Sequence, residues 1–158
     1  MSLRLQEAFG LRRGEALKFN PSYADRGDHL ALKPSWCKGG RGREVPIRTQ
    51  AQRELLNEAR ALAGGGPLIP SERRYVDQRR RYERECVRAG LDRMHGLRHA
   101  YAQQRYRELC GWPPPAAGGS SSKELDGDRR QLDRDARLRI SQELGHEREQ
   151  ITSVYLGR

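Results

Sequence analysis

No stretch of this chain approaches the roughly eighteen consecutive apolar residues that a membrane-spanning helix needs, and Met1-Ser2-Leu3-Arg4-Leu5 lacks the apolar run of a secretory signal. Cysteine is scarce as well. Cys37, Cys86 and Cys110 are odd in number, far apart and never in a C-x-x-C pair, which speaks against a disulfide framework and for reduced thiols in a soluble, cytoplasmic protein. Acidic residues are outnumbered: 21 Asp and Glu face 31 Lys and Arg, a net charge of +10, while apolar residues make up only 35%. Such a surplus favours a polyanionic partner, because neutralising phosphates releases condensed counterions. The competing reading is that many of the arginines only solvate helix faces. There is no internal repeat and no second composition block, so the 158 residues are read as one domain, 1–158, large enough to bury a core.

Apolar positions from Leu3 to Phe19 follow a helical spacing broken by Gly10 and Gly14, which predicts a short helix, a glycine break and a second helix from about Leu11. After the breaker Asn20-Pro21-Ser22, Leu30-Ala31-Leu32 and Val45-Pro46-Ile47 flank a glycine-rich basic segment, the pattern of a β-hairpin with a basic tip. Thr49 and Gln52 form a capping-box pattern, with Ala51, Leu55, Leu56, Ala59 and Leu62 on one face of the helix that follows until Gly64. Ser71 is expected to cap an arginine-rich helix running to about Ala89, with Tyr75, Val76, Tyr82, Cys86 and Val87 as its buried stripe. A helix from about His95 to Leu109 precedes a Gly-, Pro- and Ser-rich loop over 111–127. Leu132, Ala136, Ile140 and Leu144 mark one more helix, ended by Gly145, and a last short one holds Ile151, Val154 and Tyr155. The fold class expected is α+β, mostly helical, with a small antiparallel sheet.

Three of the four histidines, His95, His99 and His146, fall in two short motifs, His95-Gly96-Leu97-Arg98-His99 and Leu144-Gly145-His146, with Tyr155 nine residues beyond the second. Attack on a phosphodiester needs a nucleophile, cations for the charge building on the non-bridging oxygens and an acid for the departing oxygen. Tyr155 is the candidate nucleophile; with an ordinary pKa of about 10 it needs assistance. Arginine suits the clamp because its planar fork binds phosphate bidentately and stays charged. His95 and His99, four apart on a helix, also admit a zinc pair. That reading is weak, because Gly96 stands where a zinc hydrolase places its glutamate and no third ligand is evident.

Taken together, the motifs resemble the catalytic domain of the tyrosine recombinase family, in particular phage and prophage integrases. Phe9-Gly10-Leu11-Arg12-Arg13-Gly14-Glu15-Ala16-Leu17 resembles the family's first-arginine motif, T-G-L-R-x-x-E-L-x, with Phe9 in place of the threonine. The resemblance implies Arg12 as the first clamp residue and Glu15 as its supporting acid. Lys38-Gly39-Gly40-Arg41-Gly42-Arg43-Glu44-Val45-Pro46-Ile47 resembles the hairpin that carries the family's lysine, which implies Lys38 as the acid for the 5′-oxygen; Arg41, Arg43 and the more distant Lys33 compete for that place. His95-Gly96-Leu97-Arg98-His99-Ala100-Tyr101-Ala102 resembles the H-x-L-R-H-[TA]-x-A box, implying His95 near the attacking oxygen, Arg98 as the second clamp and His99 in a more structural position. Leu144-Gly145-His146 with Tyr155 resembles the closing box, so that His146 would bond the scissile phosphate and Tyr155 would attack it.

The resemblance implies a site-specific recombinase acting on double-stranded DNA through a 3′-phosphotyrosine, without metal or nucleotide cofactor, as a tetramer on paired sites. It also implies that the helical core-binding domain usual in the family is absent from this chain. The alternative is a truncated, non-catalytic DNA-binding module derived from an integrase. In a third reading, a generic basic helical domain, Arg12, Lys38, His95, Arg98, His146 and Tyr155 do not converge.

Overall fold

The computed structural model of the chain describes residues 1–92 and 94–158. Helix α1 (Ser2–Phe9) turns Leu5, Gln6 and Phe9 inward and ends at Gly10, whose φ of 60° is left-handed. A side chain is excluded there twice over: the backbone conformation disfavours a Cβ, and a Cβ would lie 2.6 Å from Tyr101 Cδ1 and 2.9 Å from Leu144 Cδ2. The break leads into α2 (Arg13–Lys18), with Arg12 as its N-cap and the Glu15 carboxylate accepting the Arg12 backbone N–H at 2.6 Å. Asn20-Pro21-Ser22, expected as a breaker, instead opens a one-turn helix, α3 (Pro21–Ala24). The Asn20 side chain accepts the Tyr23 N–H at 3.2 Å, and proline fits the first helical position, where no donor is needed.

Strands β1 (His29–Leu32) and β2 (Arg43–Pro46) pair antiparallel, with His29 opposite Pro46 and Leu32 opposite Arg43. Leu30, Leu32 and Val45 point into the core, as the strand period requires. Two 3-10 turns, Pro34–Trp36 and Lys38–Gly40, fill the connection. The expected capping box starts α4 (Gln50–Ala63): Thr49 Oγ1 accepts the Gln52 N–H at 3.1 Å, and Gln52 Oε1 accepts the Thr49 N–H at 3.2 Å. Leu55, Leu56 and Ala59 are buried, whereas Leu62 in the last turn is exposed.

The arginine-rich helix, α5 (Tyr75–Arg88), begins four residues after the expected Ser71 cap; the Ser71 hydroxyl bonds the neighbouring Glu72 carboxylate at 3.3 Å instead. Its buried stripe is narrower than expected. Cys86 is buried and Tyr82 half-buried, but Val87 is 76% exposed, because α5 rests mainly on short α2 and cannot be covered more widely.

Helix α6 (Gly96–Cys110) is the central element and packs against α1, α7 (Gly127–Glu143) and α8 (Ser153–Leu156). The segment between α6 and α7 contains one 3-10 turn, Pro115–Ala117, and is fastened by Ser122 Oγ on Asp133 at 2.9 Å and by the Arg129 guanidinium 4.6 Å from the Trp112 ring. The architecture is thus mostly helical α+β with a two-stranded antiparallel sheet. None of the described helices is long and apolar enough to cross a membrane.

The inner face of α7 departs from the expected apolar stripe: Leu132 is 40% exposed, and Asp133, Arg137, Ser141 and Glu143 are buried beside Ala136 and Ile140. Each buried acid is paired, as charge removed from water must be. Asp133 Oδ1 accepts from the Tyr106 hydroxyl at 2.6 Å and from Arg137 Nε at 2.8 Å, while Glu143 accepts from the Tyr101 hydroxyl at 2.7 Å and from Arg105 Nε at 3.1 Å. The last turns correct the expectation likewise: Thr152, Tyr155 and Leu156 are buried, but Val154 is 65% exposed.

Candidate active site

His95 is the N-cap of α6, so His95, Arg98 and His99 share one helix face over the first turn. Arg98 is 1% exposed. Its Nη1 donates to the Gly10 carbonyl and its Nη2 to the Leu144 carbonyl at 2.8 Å, which fixes the guanidinium between the break after α1 and the end of α7. Nε has no hydrogen-bond partner among the described residues, and the guanidinium lies 5.7 Å from the centre of the Tyr155 ring.

Tyr155 on α8 is held at its backbone by Gln103 Nε2, which donates to its carbonyl at 3.2 Å. Its ring is ringed by imidazoles: His99 at 4.9 Å, His95 at 6.0 Å and His146 at 6.3 Å between ring centres. His146 reaches this position because Gly145, with a φ of +75°, turns the chain at the end of α7 and lets the His146 N–H bond the Ser141 carbonyl at 2.8 Å. A Cβ on Gly145 would lie 3.0 Å from Arg43 Cδ and 3.2 Å from Arg12 Nη1, so the Arg12 guanidinium is pressed against this turn. Arg12, His95, Arg98, His146 and Tyr155 therefore come together from four separate segments.

Lys38 is exposed on the turn between β1 and β2, and with Arg12, His95 and Arg98 it lines a cavity of about 720 Å³. Its three competitors are placed otherwise. Lys33 lies 5.4 Å over the Tyr23 ring, Arg41 pairs with Glu147, and Arg43 is buried in an ion pair with Glu15 at 2.6 Å.

Burial, reinforced by the concentration of positive charge, governs ionisation in this site. Burial, followed by the charges of Arg12, Arg98 and Arg43, drives His146 down to about 4 against the smaller opposing pull of Glu15. His95 is lowered by burial and then by Arg98, His99 and Arg12. Both imidazoles are thus neutral near pH 7, able to accept a proton or a hydrogen bond. Burial lowers Arg98 too, and the Tyr155 hydroxyl counters that by favouring its charged form. The His146 Nε2 is buried without a partner among the described residues, an unspent polar atom of the kind that ligand-ready sites keep. A neutral acceptor, fixed guanidinium groups and a phenol on one face suit an anionic, phosphate-like group in which charge develops.

Sequence reasoning gives Arg43 no role beyond substitute for the lysine. The structure makes it the partner of Glu15, whose carboxylate also accepts from Arg12 Nη1 at 3.1 Å. Glu15 lies three residues after Arg12 in its motif, but nothing in the motif indicates a partner twenty-eight residues on.

No curated protein matches the chain. The family model described as Integrase matches residues 1–104, a span that contains Arg12, Lys38, His95 and Arg98. With about two thirds of its length matched in this way, the chain belongs to the phage integrase family of tyrosine recombinases, a family of DNA recombinases.

Proposed function

We propose that this chain cleaves and rejoins double-stranded DNA through a 3′-phosphotyrosine formed on Tyr155. The observation that carries the reading is the convergence of His95, His99, His146 and Arg98 on the Tyr155 ring, with Arg12 against the same turn. The Tyr155 oxygen bonds to phosphorus and gives its proton to a neutral imidazole, a role assigned to His95, which is exposed and whose ring centre lies 6.0 Å from that of Tyr155. The bond from phosphorus to the 5′-oxygen breaks, and Lys38 supplies the proton that this oxygen takes up. Arg12 and Arg98 balance the charge on the non-bridging oxygens, and His146 hydrogen-bonds the phosphate. Because the phosphotyrosine conserves the energy of the broken bond, a 5′-hydroxyl can reverse every step. By family analogy four copies act together on paired sites.

The second reading is a non-catalytic DNA-binding module, favoured by one observation: Tyr155 is only 5% exposed. Nicked suicide substrates pooled over many sequences separate the two readings. A denaturation-resistant protein–DNA adduct that vanishes in Tyr155→Phe supports the enzyme; salt-sensitive DNA binding with no adduct supports the module.

A further inference from the structure

We propose that Arg43 is a positioning residue: one buried guanidinium that fastens together the three segments carrying Arg12, Lys38 and His146. The inference rests on the function proposed above and adds to it a residue that does not touch the DNA.

The Arg43 side chain is 5% exposed and uses its whole fork. Nη1 and Nη2 donate to Glu15 Oε1 and Oε2 at 2.6 and 2.7 Å, and Nε donates to the Glu143 carbonyl at 2.7 Å. Each bond ends beside a residue of the site. Glu15 Oε2 also accepts the Arg12 backbone N–H at 2.6 Å and Oε1 accepts Arg12 Nη1 at 3.1 Å, so the carboxylate that Arg43 fixes is the one that orients Arg12. Glu143 is the last residue of α7, two before the Gly145 turn that delivers His146, and that turn packs within 3.0 Å of Arg43 Cδ when a Cβ is placed on it. Cys37, next to Lys38, has its sulfur 3.6 Å from Nη1. A displaced Arg43 releases all three segments at once. Lysine cannot replace it, because a single ammonium keeps the charge but not the planar array that holds both oxygens of Glu15 and the carbonyl together.

The charge of Arg43 also faces His146. The other charged or titratable groups around this imidazole, among the described residues, are Arg12 before α2, Glu15 from α2, Arg98 from α6 and Tyr155 from α8, with the Arg41–Glu147 pair and Arg148 flanking its turn. Loss of the Arg43 charge therefore raises the His146 titration midpoint, while a change that keeps the charge leaves it nearly in place.

The test uses the full chain with Arg43→Gln and Arg43→Lys, reading the His146 titration by NMR, adduct formation on nicked suicide DNA, and DNA affinity at fixed salt. The expected result is an upward His146 midpoint in Arg43→Gln but not in Arg43→Lys. Adduct formation slows on the order of 100-fold in both variants, since misplacing reacting groups by about 1 Å costs that much. DNA affinity changes by less than about twofold, because a buried, internally paired cation releases no counterions. Wild-type adduct rates in either variant overturn the positioning role. If the wild type itself forms no adduct, the functional reading falls, and hydrogen exchange of the His146 N–H, which bonds the Ser141 carbonyl at 2.8 Å, still decides the clamp: faster exchange in Arg43→Lys than in the wild type upholds it and equal exchange overturns it. If Arg43→Gln does not fold, the rate of Arg43→Lys decides.

Discussion

Glu15→Gln tests the electrostatic frame of the site through folding stability. Burial alone would push the Glu15 carboxyl up, but the hydrogen bonds and charge of Arg43, together with Arg12, bring it from an ordinary 4.5 to about 2. At about 1.4 kcal/mol per pH unit, that fall is worth about 3 kcal/mol of stability for a side chain with no exposed surface. The folded pKa lies below the unfolded one, so the contribution is complete above the unfolded value of 4.5 and is lost as pH falls toward about 2. About 2 kcal/mol of it is gone by pH 3. In Glu15→Gln the contribution is missing at every pH, and the Arg43 guanidinium is left buried without its charge partner, so the variant is less stable at pH 7 by about 3 to 5 kcal/mol. Urea denaturation of both proteins from pH 7 to pH 3 should show the gap closing by about 2 kcal/mol at the acid end. Other carboxylates lowered by arginine partners, such as Asp25 beside Arg53 and Arg60, are common to both proteins and cancel. A gap that does not change with pH, or one under about 1 kcal/mol at pH 7, would mean that the Arg43 and Arg12 charges do not hold Glu15 ionised in the fold.

Gly10→Ala adds a Cβ 2.6 Å from Tyr101 in left-handed backbone, and should destabilise the fold by about 2 to 4 kcal/mol in the same denaturation assay; a loss below about 1 kcal/mol contradicts the close approach. His146 should titrate at about 4 in the free protein and higher once DNA phosphate offsets Arg12 and Arg98, so an NMR midpoint near the ordinary 6.5 without DNA argues against the buried cationic site. Arg98→Ala should abolish adduct formation while lowering non-specific DNA affinity only slightly, one cation among many contributing little to counterion release; equal adduct rates remove Arg98 from the reaction. Lys38→Ala should slow cleavage and recover much of its rate on a substrate with an activated 5′-leaving group, and no recovery makes Lys38 a DNA-positioning cation instead of an acid.

The longer helices, the hairpin and the two motifs were legible because each depends on local patterns: a capping box at Thr49, the three- and four-residue spacing of His95, Arg98 and His99, glycine stops at Gly64 and Gly145. What local pattern could not carry is polar burial across the chain. Asp133 and Glu143 lie outside the apolar spacing that marks α7, yet both are buried because Tyr106, Arg137, Tyr101 and Arg105 meet them. Val87 and Val154 read as anchors for the opposite reason: their helices lean on the body along a strip too narrow to cover them. The Ser71 cap failed because the cap side chain found Glu72 next to it, a local alternative to starting a helix. Arg43 shows the limit most clearly. In sequence it is one basic residue among several on a hairpin, and only the fold places Glu15 and the Glu143 carbonyl around it.

Peptide mapping of the trapped adduct shows which residue is joined to the DNA. After incubation with nicked DNA, denaturation and digestion of both protein and DNA, the expected product is a nucleotide joined through its 3′-phosphate to the peptide that contains Tyr155, with a free 5′-hydroxyl on the released strand. Unmodified Tyr155 peptide from protein that binds the same DNA in a salt-sensitive way would contradict it.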